Sequence, residues 1–359
     1  MLWTNHLGGT QRMRFVMALA GIAALAVSPA SMAAPAVPGA ALEVSGGACA
    51  PAGDLHFVCG LKNVEDLLPV DAGRWLVGSS YEEGSAGLYI IDTLDKSARK
   101  VSFSVGARPD PRYPGCTPPD FAHLLTHGLD VVAAPGNVVT VYAVNHGGRE
   151  SVEMFRLRAD VATAQWVGCV LLPRYAIGNA VAALPDGGFV VSKFLDQRDS
   201  KGREHLLAGQ VNGTVYRWRT GHGFEEVPGT RLAGDNGLAV TKDGRWLFVN
   251  AYGTREVVRV ALSGHGAARV AKVDFNPDNL RWTADGRLFV TGQFRHLGAP
   301  IGQDGWETVV LDPNSMRTMP LLRERGRPEF DDAASTVQVG SVLWISTFRG
   351  DRIAYRPAP

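Results

Sequence analysis

The sequence lacks the short motifs that identify several common enzyme classes. It contains no G-x-S-x-G nucleophile elbow, no H-E-x-x-H zinc motif and no G-x-G-x-x-G dinucleotide motif. It also carries little net charge, because 36 Lys and Arg oppose 35 Asp and Glu. These absences argue against an α/β-type serine hydrolase, a zincin and a dinucleotide enzyme. They also argue against a protein drawn to nucleic acid or anionic lipid by its overall field.

The apolar run near the N-terminus, residues 15–27, is short. Two arginines precede it, and Ser31-Met32-Ala33 follows with the small-x-small pattern that signal peptidase cleaves. The run falls below the about 20 residues that a spanning helix needs, which disfavours an uncleaved membrane anchor. Residues 1–33 are therefore predicted to be a secretory signal, and 34–359 the mature domain of a secreted or periplasmic protein.

Cysteine is scarce. The four cysteines are Cys49, Cys59, Cys116 and Cys169, and no two of them have the C-x-x-C spacing of zinc sites or dithiol redox sites. An even number in an exported chain favours one or two structural disulfides. We expect Cys49 to pair with Cys59, because both lie in the N-terminal lead-in.

Glycine is plentiful, with 42 residues, and some of these glycines recur at a fixed phase. A polar residue, alternating apolar residues, a tight turn and an apolar strand return several times along the chain. In four copies the glycine falls eight residues after the leading polar residue: Glu65 with Gly73, Asn179 with Gly187, Asn236 with Gly244, and Asp278 with Gly286. A fifth copy begins at His127 and a looser sixth at Thr336. Asp-Gly turns between alternating strands indicate β-hairpins.

One more strand follows each hairpin, which gives six units of strand and turn without a convincing amphipathic helix. This repeat predicts an all-β protein, a six-bladed β-propeller in one domain, rather than a β-sandwich. The last unit supplies only three strands before the sequence ends at Pro359. We therefore expect an N-terminal strand, from residues 42–58, to close the ring.

The leading residues of the repeats are polar. In a propeller the innermost strands run along the central channel, so residues at one phase converge on one of its mouths. The converging set is Glu65, His127, Asn179, Asn236 and Asp278, with Asn279 adjacent. A buried carboxylate needs an opposite charge or a metal, and carboxylate and amide oxygens without a thiolate favour Ca²⁺ over zinc or copper. A hydrogen-bonded polar plug without a metal is the alternative.

Two histidines belong to one repeat. His127 leads the second unit, and His146 follows the second strand of the same unit. Two imidazoles beside a Lewis-acidic ion suit a base and a relay that activate water. Either histidine alone would more often be a structural residue.

At these residues the sequence resembles the paraoxonase/arylesterase family, calcium-dependent six-bladed propellers that hydrolyse lactones and aryl esters. The matching stretches keep the family's order along essentially the whole mature chain. They are Val64-Glu-Asp-Leu, His127-Gly-Leu, Tyr142-Ala-Val-Asn-His146, Asn236-Gly-Leu, Asp278-Asn279 and Ser335-Thr-Val. The gluconolactonase and strictosidine-synthase-like propellers are broader relatives with the same architecture.

The resemblance implies a role for each matching residue. It implies a catalytic Ca²⁺ held by Glu65, Asn179, Asn236, Asp278 and Asn279. It also implies a His127–His146 dyad, with His127 nearer the attacking water.

The resemblance further implies a second, buried calcium at Asp66 and the backbone carbonyl of Leu129. This sequence departs from the family there, because Ala180 stands where the family has an acid after the asparagine. The C-terminus also lacks the cysteine with which animal members tie the chain ends together.

The sequence therefore predicts an exported, calcium-dependent hydrolase of small lactones or aryl esters, without a nucleic-acid or membrane partner. One alternative is a non-catalytic propeller that serves as a scaffold or captures a ligand. Another is a gluconolactonase-like hydrolase of sugar lactones, which would differ only in the lining of its pocket.

Overall fold

Short strands make up nearly all the regular structure of the chain. The computed structural model describes residues 44–359 except 83–86, 114, 135–136 and 295–302. The predicted signal, residues 1–33, lies outside the described residues. The described residues all belong to one compact unit.

The strands follow one another through the chain with short turns between them. The first seven are β1 (Val44–Ala52), β2 (Leu55–Cys59), β3 (Leu67–Val70), β4 (Trp75–Ser80), β5 (Gly87–Asp92), β6 (Ser97–Lys100) and β7 (Ser102–Val105). The next eight are β8 (Thr126–Ala134), β9 (Val138–Asn145), β10 (Ser151–Arg158), β11 (Thr163–Leu171), β12 (Ala176–Ala183), β13 (Phe189–Asp196), β14 (Thr214–Arg219) and β15 (Gly223–Glu226).

The remaining strands continue the same pattern to the C-terminus. They are β16 (Asp235–Val240), β17 (Trp246–Ala251), β18 (Glu256–Ala261), β19 (Arg269–Lys272), β20 (Asn276–Trp282), β21 (Leu288–Gln293), β22 (Trp306–Leu311), β23 (Thr318–Glu324), β24 (Ala333–Val339), β25 (Val342–Thr347) and β26 (Arg352–Pro357). Middle strands such as β5 and β22 are buried along their whole length, as expected for sheets covered on both faces.

The described strands form five sheets. Three are four-stranded meanders, β12 to β15, β16 to β19 and β20 to β23, and a fourth has the order β7-β11-β10-β9-β8. The fifth has nine strands in the order β24-β25-β26-β2-β1-β6-β5-β4-β3. The innermost strands contact one another in a closed cycle: β3, β8, β12, β16, β20, β24 and again β3. The β-propeller predicted from the repeats is therefore confirmed.

The N-terminal hairpin β1–β2 joins the first repeat to the last. Strand β2 pairs antiparallel with β26, and β1 pairs with β6 on the other side. The β1–β2 hairpin and the C-terminal strand β26 thus lie in one sheet, as the count of strands in the last repeat predicts. This pairing removes the exposed edge that β26 would otherwise present.

Two disulfides are present among the described residues. Cys49 pairs with Cys59, which confirms the predicted pair, and Cys116 pairs with Cys169. The first staples the hairpin that closes the ring. Disulfides of this kind are typical of oxidising compartments, which is consistent with export.

One short α-helix, α1 (Gly202–Leu207), interrupts the strands between β13 and β14. The sequence pattern predicts no helix here, because six residues are too few to show a helical period. Buried Leu206 packs α1 onto Leu195 and Tyr252. None of the helices among the described residues is long and apolar enough to cross a membrane.

The innermost strands share a break in register near their leading residues. Breaks of this kind fall between Thr126 and Leu129, Gly178 and Val181, Asp235 and Leu238, and Pro277 and Leu280. A β-bulge bends a strand and re-aims the side chain at the bulge. The leading residues His127, Asn179, Asn236 and Asp278 all lie within these breaks. The bulges therefore explain how side chains on separate strands can converge.

Glycines after two of these residues let neighbouring inner strands approach closely. A Cβ on Gly237 would lie 2.3 Å from the backbone oxygen of Asp278. We expect Gly237→Ala to lower the free energy of unfolding by about 1–3 kcal/mol, the usual cost of overpacking. Chemical denaturation measures this loss. Gly47→Ala is the control, because a Cβ at Gly47 meets nothing within 4 Å. Equal stability of the two variants would contradict the close approach.

Candidate functional site

Every residue predicted for the metal site lies in one buried cluster at a mouth of the channel. Glu65 precedes β3, and the others lie on β12, β16 and β20. Each of the five residues is at most 4% exposed: Glu65 0%, Asn179 3%, Asn236 2%, Asp278 4% and Asn279 1%. The amide of Asn279 donates a hydrogen bond to Glu65 Oε1 (2.5 Å) and that of Asn236 bonds to Asp278. The structure thus brings together residues up to 214 positions apart.

Several oxygens of this cluster are buried without a hydrogen-bond partner. They are Glu65 Oε2, Asn179 Oδ1, Asn236 Oδ1 and Asn279 Oδ1. A buried polar atom without a partner costs about 1–3 kcal/mol, so four in one place require an explanation. A bound cation would satisfy all four at once, because amide and carboxylate oxygens are ligands of hard cations.

The charge of the cluster also favours a bound cation. Burial, and then the neighbouring carboxylates of Asp278 and Asp66, raises the pKa of Glu65 well above its ordinary value. Burial likewise raises the pKa of Asp278. Two buried carboxylates therefore oppose each other's ionisation unless a positive charge joins them.

The donor set fits Ca²⁺ better than a transition metal. Among the described residues, no group of three or more His, Cys, Asp or Glu side chains is arranged to hold a metal ion. A site at this mouth would thus depend on the amide oxygens of Asn179, Asn236 and Asn279. Such neutral and anionic oxygens without nitrogen or sulfur ligands are typical of calcium sites.

The two histidines form a hydrogen-bonded chain that ends on a carboxylate. His127 Nδ1 lies 2.9 Å from His146 Nε2, and His146 Nδ1 lies 2.8 Å from Glu150 Oε1. Glu150 Oε2 accepts a hydrogen bond from the backbone N–H of Gly178 (3.0 Å), the residue before Asn179. The carboxylate is thus held between the second and third repeats.

This chain determines which nitrogen of His127 is basic. Ionised Glu150 can only accept, so Nδ1 of His146 carries a proton and its Nε2 is an acceptor when the ring is neutral. His127 must then donate from Nδ1, which leaves Nε2 with a free lone pair. That Nε2 lies 3.8 Å from Glu65 Oε1. The basic nitrogen therefore faces the oxygen cluster.

Burial, and then the charges of His146 and Arg203, lowers the pKa of His127 well below its ordinary value. The ring of Tyr81 stacks on His127, with ring centroids 4.4 Å apart, and packs edge-on against His146 at 5.4 Å. Tyr81 and Glu150 are both absent from the sequence-based site. A carboxylate four residues after His146 is the only sequence signal that could indicate Glu150.

A cavity of about 150 Å³ opens above the cluster. The dyad and three of the predicted metal ligands, Asn179, Asn236 and Asp278, line it. Its other walls are largely apolar, and include Ile177, Phe194, Leu206 and Leu207. A small molecule in this cavity would meet His127 and the oxygen cluster together.

The positions predicted for a second calcium do not fit a second ion. The guanidinium of Arg281 hydrogen-bonds to both carboxylate oxygens of Asp66 and, at 3.4 Å, to the carbonyl of Leu129. It also bonds to the carbonyls of Leu67 and Leu280. A buried organic cation thus already uses the oxygens that the second calcium would need.

Removing this cation should destabilise the protein strongly. We expect Arg281→Met to lower the free energy of unfolding by about 3–5 kcal/mol, because buried Asp66 would lose its counter-charge. Adding Asp66→Asn should recover part of the loss. Arg112→Met, which breaks a more exposed pair with Asp110, should cost less than about 1 kcal/mol. Urea denaturation of these three variants and the wild type measures this. Equal losses for Arg281 and Arg112 would contradict the role given to Arg281.

No protein-family profile matches the sequence, and no curated protein matches it. Solved structures do match. A luciferin-regenerating enzyme aligns with a TM-score of 0.52 and 16% identity, over 83% of this chain and 92% of the other. A gluconolactonase from Xanthomonas campestris gives 0.50 and 20% identity, over 86% and 90%. A candidate gluconolactonase gives 0.52 and 15%, over 88% and 93%.

At these identities the similarity shows the fold. Two of these neighbours are gluconolactonases by name, and this chain shares their fold. The arylesterase branch in particular stays a prediction.

Proposed function

We propose that this protein is an exported, calcium-dependent hydrolase of lactones or aryl esters, similar to the paraoxonase/arylesterase family. The observation that carries the proposal is the contact between the two parts of the site. Four buried oxygens without partners belong to the same cluster as Glu65 Oε1, and the free Nε2 of His127 in the His127–His146–Glu150 chain lies 3.8 Å from that atom. A purely structural polar plug would pair its buried oxygens.

We propose to count six blades. The first and last repeats are joined by the β1–β2 hairpin, so the five sheets contain six repeats. The closed cycle of innermost strands supports this count. It also places the leading residue of each repeat on a separate blade. The inner strand of the sixth blade, β24, has a register break of the same kind between Ala333 and Thr336.

The chain's own residues divide the chemistry between them. Glu65, Asn179, Asn236, Asp278 and Asn279 would hold Ca²⁺, which when bound would polarise the substrate carbonyl and stabilise the developing oxyanion. His127 Nε2 takes a proton from water while the water oxygen attacks the carbonyl carbon. This transfer gives His127 a positive charge, which His146 and Glu150 stabilise. The carbon–oxygen ester bond then breaks, and His127 returns the proton to the departing alkoxide.

A small-molecule substrate suits the cavity. Its apolar walls and its few polar groups near the base are typical of small-ligand sites. The Xanthomonas campestris neighbour is named a gluconolactonase. That name supports a lactone as the substrate class, with ring opening to a hydroxy acid as the reaction.

Export completes the proposal. Residues 1–33 would be removed as the signal, leaving 34–359 as a single propeller domain in the periplasm or medium. The two disulfides support this location.

A hydrolysis assay on purified mature protein tests the proposal. The panel contains an alkyl γ-lactone, glucono-δ-lactone and phenyl acetate, each with Ca²⁺ and with a chelator, and each corrected for spontaneous hydrolysis. We expect Ca²⁺-dependent hydrolysis of at least one of them. A preference for glucono-δ-lactone would favour the sugar-lactone alternative. Full activity after chelation would reject a role for calcium in the reaction. If no compound is hydrolysed, a non-catalytic propeller is favoured.

A further inference from the structure

Arg203 is the one Lys or Arg among the described residues that line the cavity above the dyad. It lies on α1, one residue after the helix begins, and is exposed. Its charge adds to the burial that lowers the pKa of His127 and opposes the burial that raises the pKa of Tyr81, so it lies near both rings. A cation is therefore held at the rim of a largely apolar cavity.

No hydrogen bond, ion pair or ring contact of the Arg203 guanidinium occurs within the described part of the chain, although most other arginines there have one. Its neighbours on the helix illustrate the contrast. His205 pairs with Asp199 at 2.8 Å, whereas Arg203 has no ion pair with any described carboxylate. An arginine offers five donors in a planar fork that suits carboxylate and phosphate groups.

The position of Arg203 is fixed by the helix that carries it. Leu206 is buried among Leu195 and Tyr252. The helix backbone also packs tightly on the next repeat, since a Cβ on Gly253 would lie 1.8 Å from the carbonyl oxygen of Leu206. The insertion therefore forms a firm wall of the cavity rather than a surface loop.

We propose that Arg203 selects substrates that carry an anionic group, a carboxylate or a phosphate, attached to an apolar part. This inference rests on the proposed function and names its substrate class. The apolar part packs against Ile177, Phe194 and Leu207, while the ester carbonyl lies at the dyad and the anion pairs with the guanidinium. Because Arg203 is exposed, a pair of this kind is worth a factor of about 2 to 5 in affinity.

A matched pair of substrates tests the proposal. One is an alkyl γ-lactone with a carboxylate at the end of its side chain, and the other is the methyl ester of that carboxylate. We expect the wild type to favour the carboxylate in kcat/KM by about twofold to fivefold. Arg203→Gln should reduce this preference to near one, Arg203→Lys should keep part of it, and Arg203→Glu should reverse it. Lys201→Gln, an exposed neighbour outside the cavity, is the control.

Binding of non-hydrolysed probes separates this inference from the proposed function. Isothermal titration with octanoate, octyl phosphate and octanol is run on the calcium-loaded protein. Tighter binding of either anion to the wild type than to Arg203→Gln supports the inference even if no lactone is hydrolysed. The anion that binds more tightly identifies the preferred group as a carboxylate or a phosphate. Anion binding that Arg203→Gln leaves unchanged would place the anion elsewhere and overturn it, as would the absence of anion binding. Lactone hydrolysis without a carboxylate preference would overturn it while the proposed function stands.

Discussion

Exhaustive chelation should abolish lactone hydrolysis and lower the melting temperature in the same titration, and added Ca²⁺ should restore both. The reason is the cluster of four buried oxygens without partners, beside carboxylates whose pKa values burial raises. An ion that binds only the folded state stabilises it by about 4 kcal/mol at a thousand times its Kd. Differential scanning calorimetry and an activity assay follow the two effects in parallel.

Asp278→Asn provides the matched test of this coupling. It removes one of the two carboxylates, so the calcium response of both activity and melting temperature should shift to higher calcium concentration. Asp285→Asn is the control, because Asp285 lies in the turn of the same hairpin and is exposed. If both variants respond to calcium like the wild type, the ion does not bind at this cluster. Loss of activity without any change in melting temperature would point to a metal elsewhere.

His127→Gln should reduce kcat by roughly 10²–10⁴-fold, the contribution of a general base, while the calcium-dependent rise in melting temperature stays nearly intact. His146→Gln and Glu150→Gln should cost less, because they act through His127. Glu150→Gln replaces an acceptor with an amide that can also donate, so it no longer enforces the tautomers of the two rings. Steady-state kinetics with each variant gives the order of these losses.

His123→Gln is the control for this series. The His123 side chain is 65% exposed, and its ion-pair partner within the described ranges is Asp120, so turnover of this variant should equal that of the wild type. Full activity in His127→Gln and His146→Gln would reject the dyad. A loss in Glu150→Gln equal to that in His127→Gln would give Glu150 a direct role in the reaction.

The sequence was sufficient to predict the propeller and the residues that meet at its channel. Both depend on the phase of a local repeat, because the leading residue and its turn glycine occupy the same place in every unit. The shared position in the repeat therefore predicts that four side chains converge: Glu65, Asn179, Asn236 and Asp278. The bulges that turn these side chains are encoded in the same short stretches, such as Asn236-Gly237.

The residues that the sequence did not indicate act across repeats. Arg281 reaches Asp66, 215 positions away, and nothing local to either residue distinguishes the pair. Glu150 matters because its carboxylate lies between His146 and Gly178. Helix α1 is too short for a periodic pattern, yet it forms a wall of the cavity. Such contacts depend on how the repeats pack against one another, and the sequence of a single repeat does not predict that packing.

A crystal structure of the mature protein grown with Ca²⁺ tests the central claim most directly. The account predicts one ion at this mouth of the channel, about 2.3–2.6 Å from oxygens of Glu65, Asn179, Asn236, Asp278 and Asn279. It predicts no second ion at Asp66, where Arg281 should remain. A mouth that holds only water or protein groups at saturating Ca²⁺, with the four oxygens hydrogen-bonded among themselves, would contradict the account.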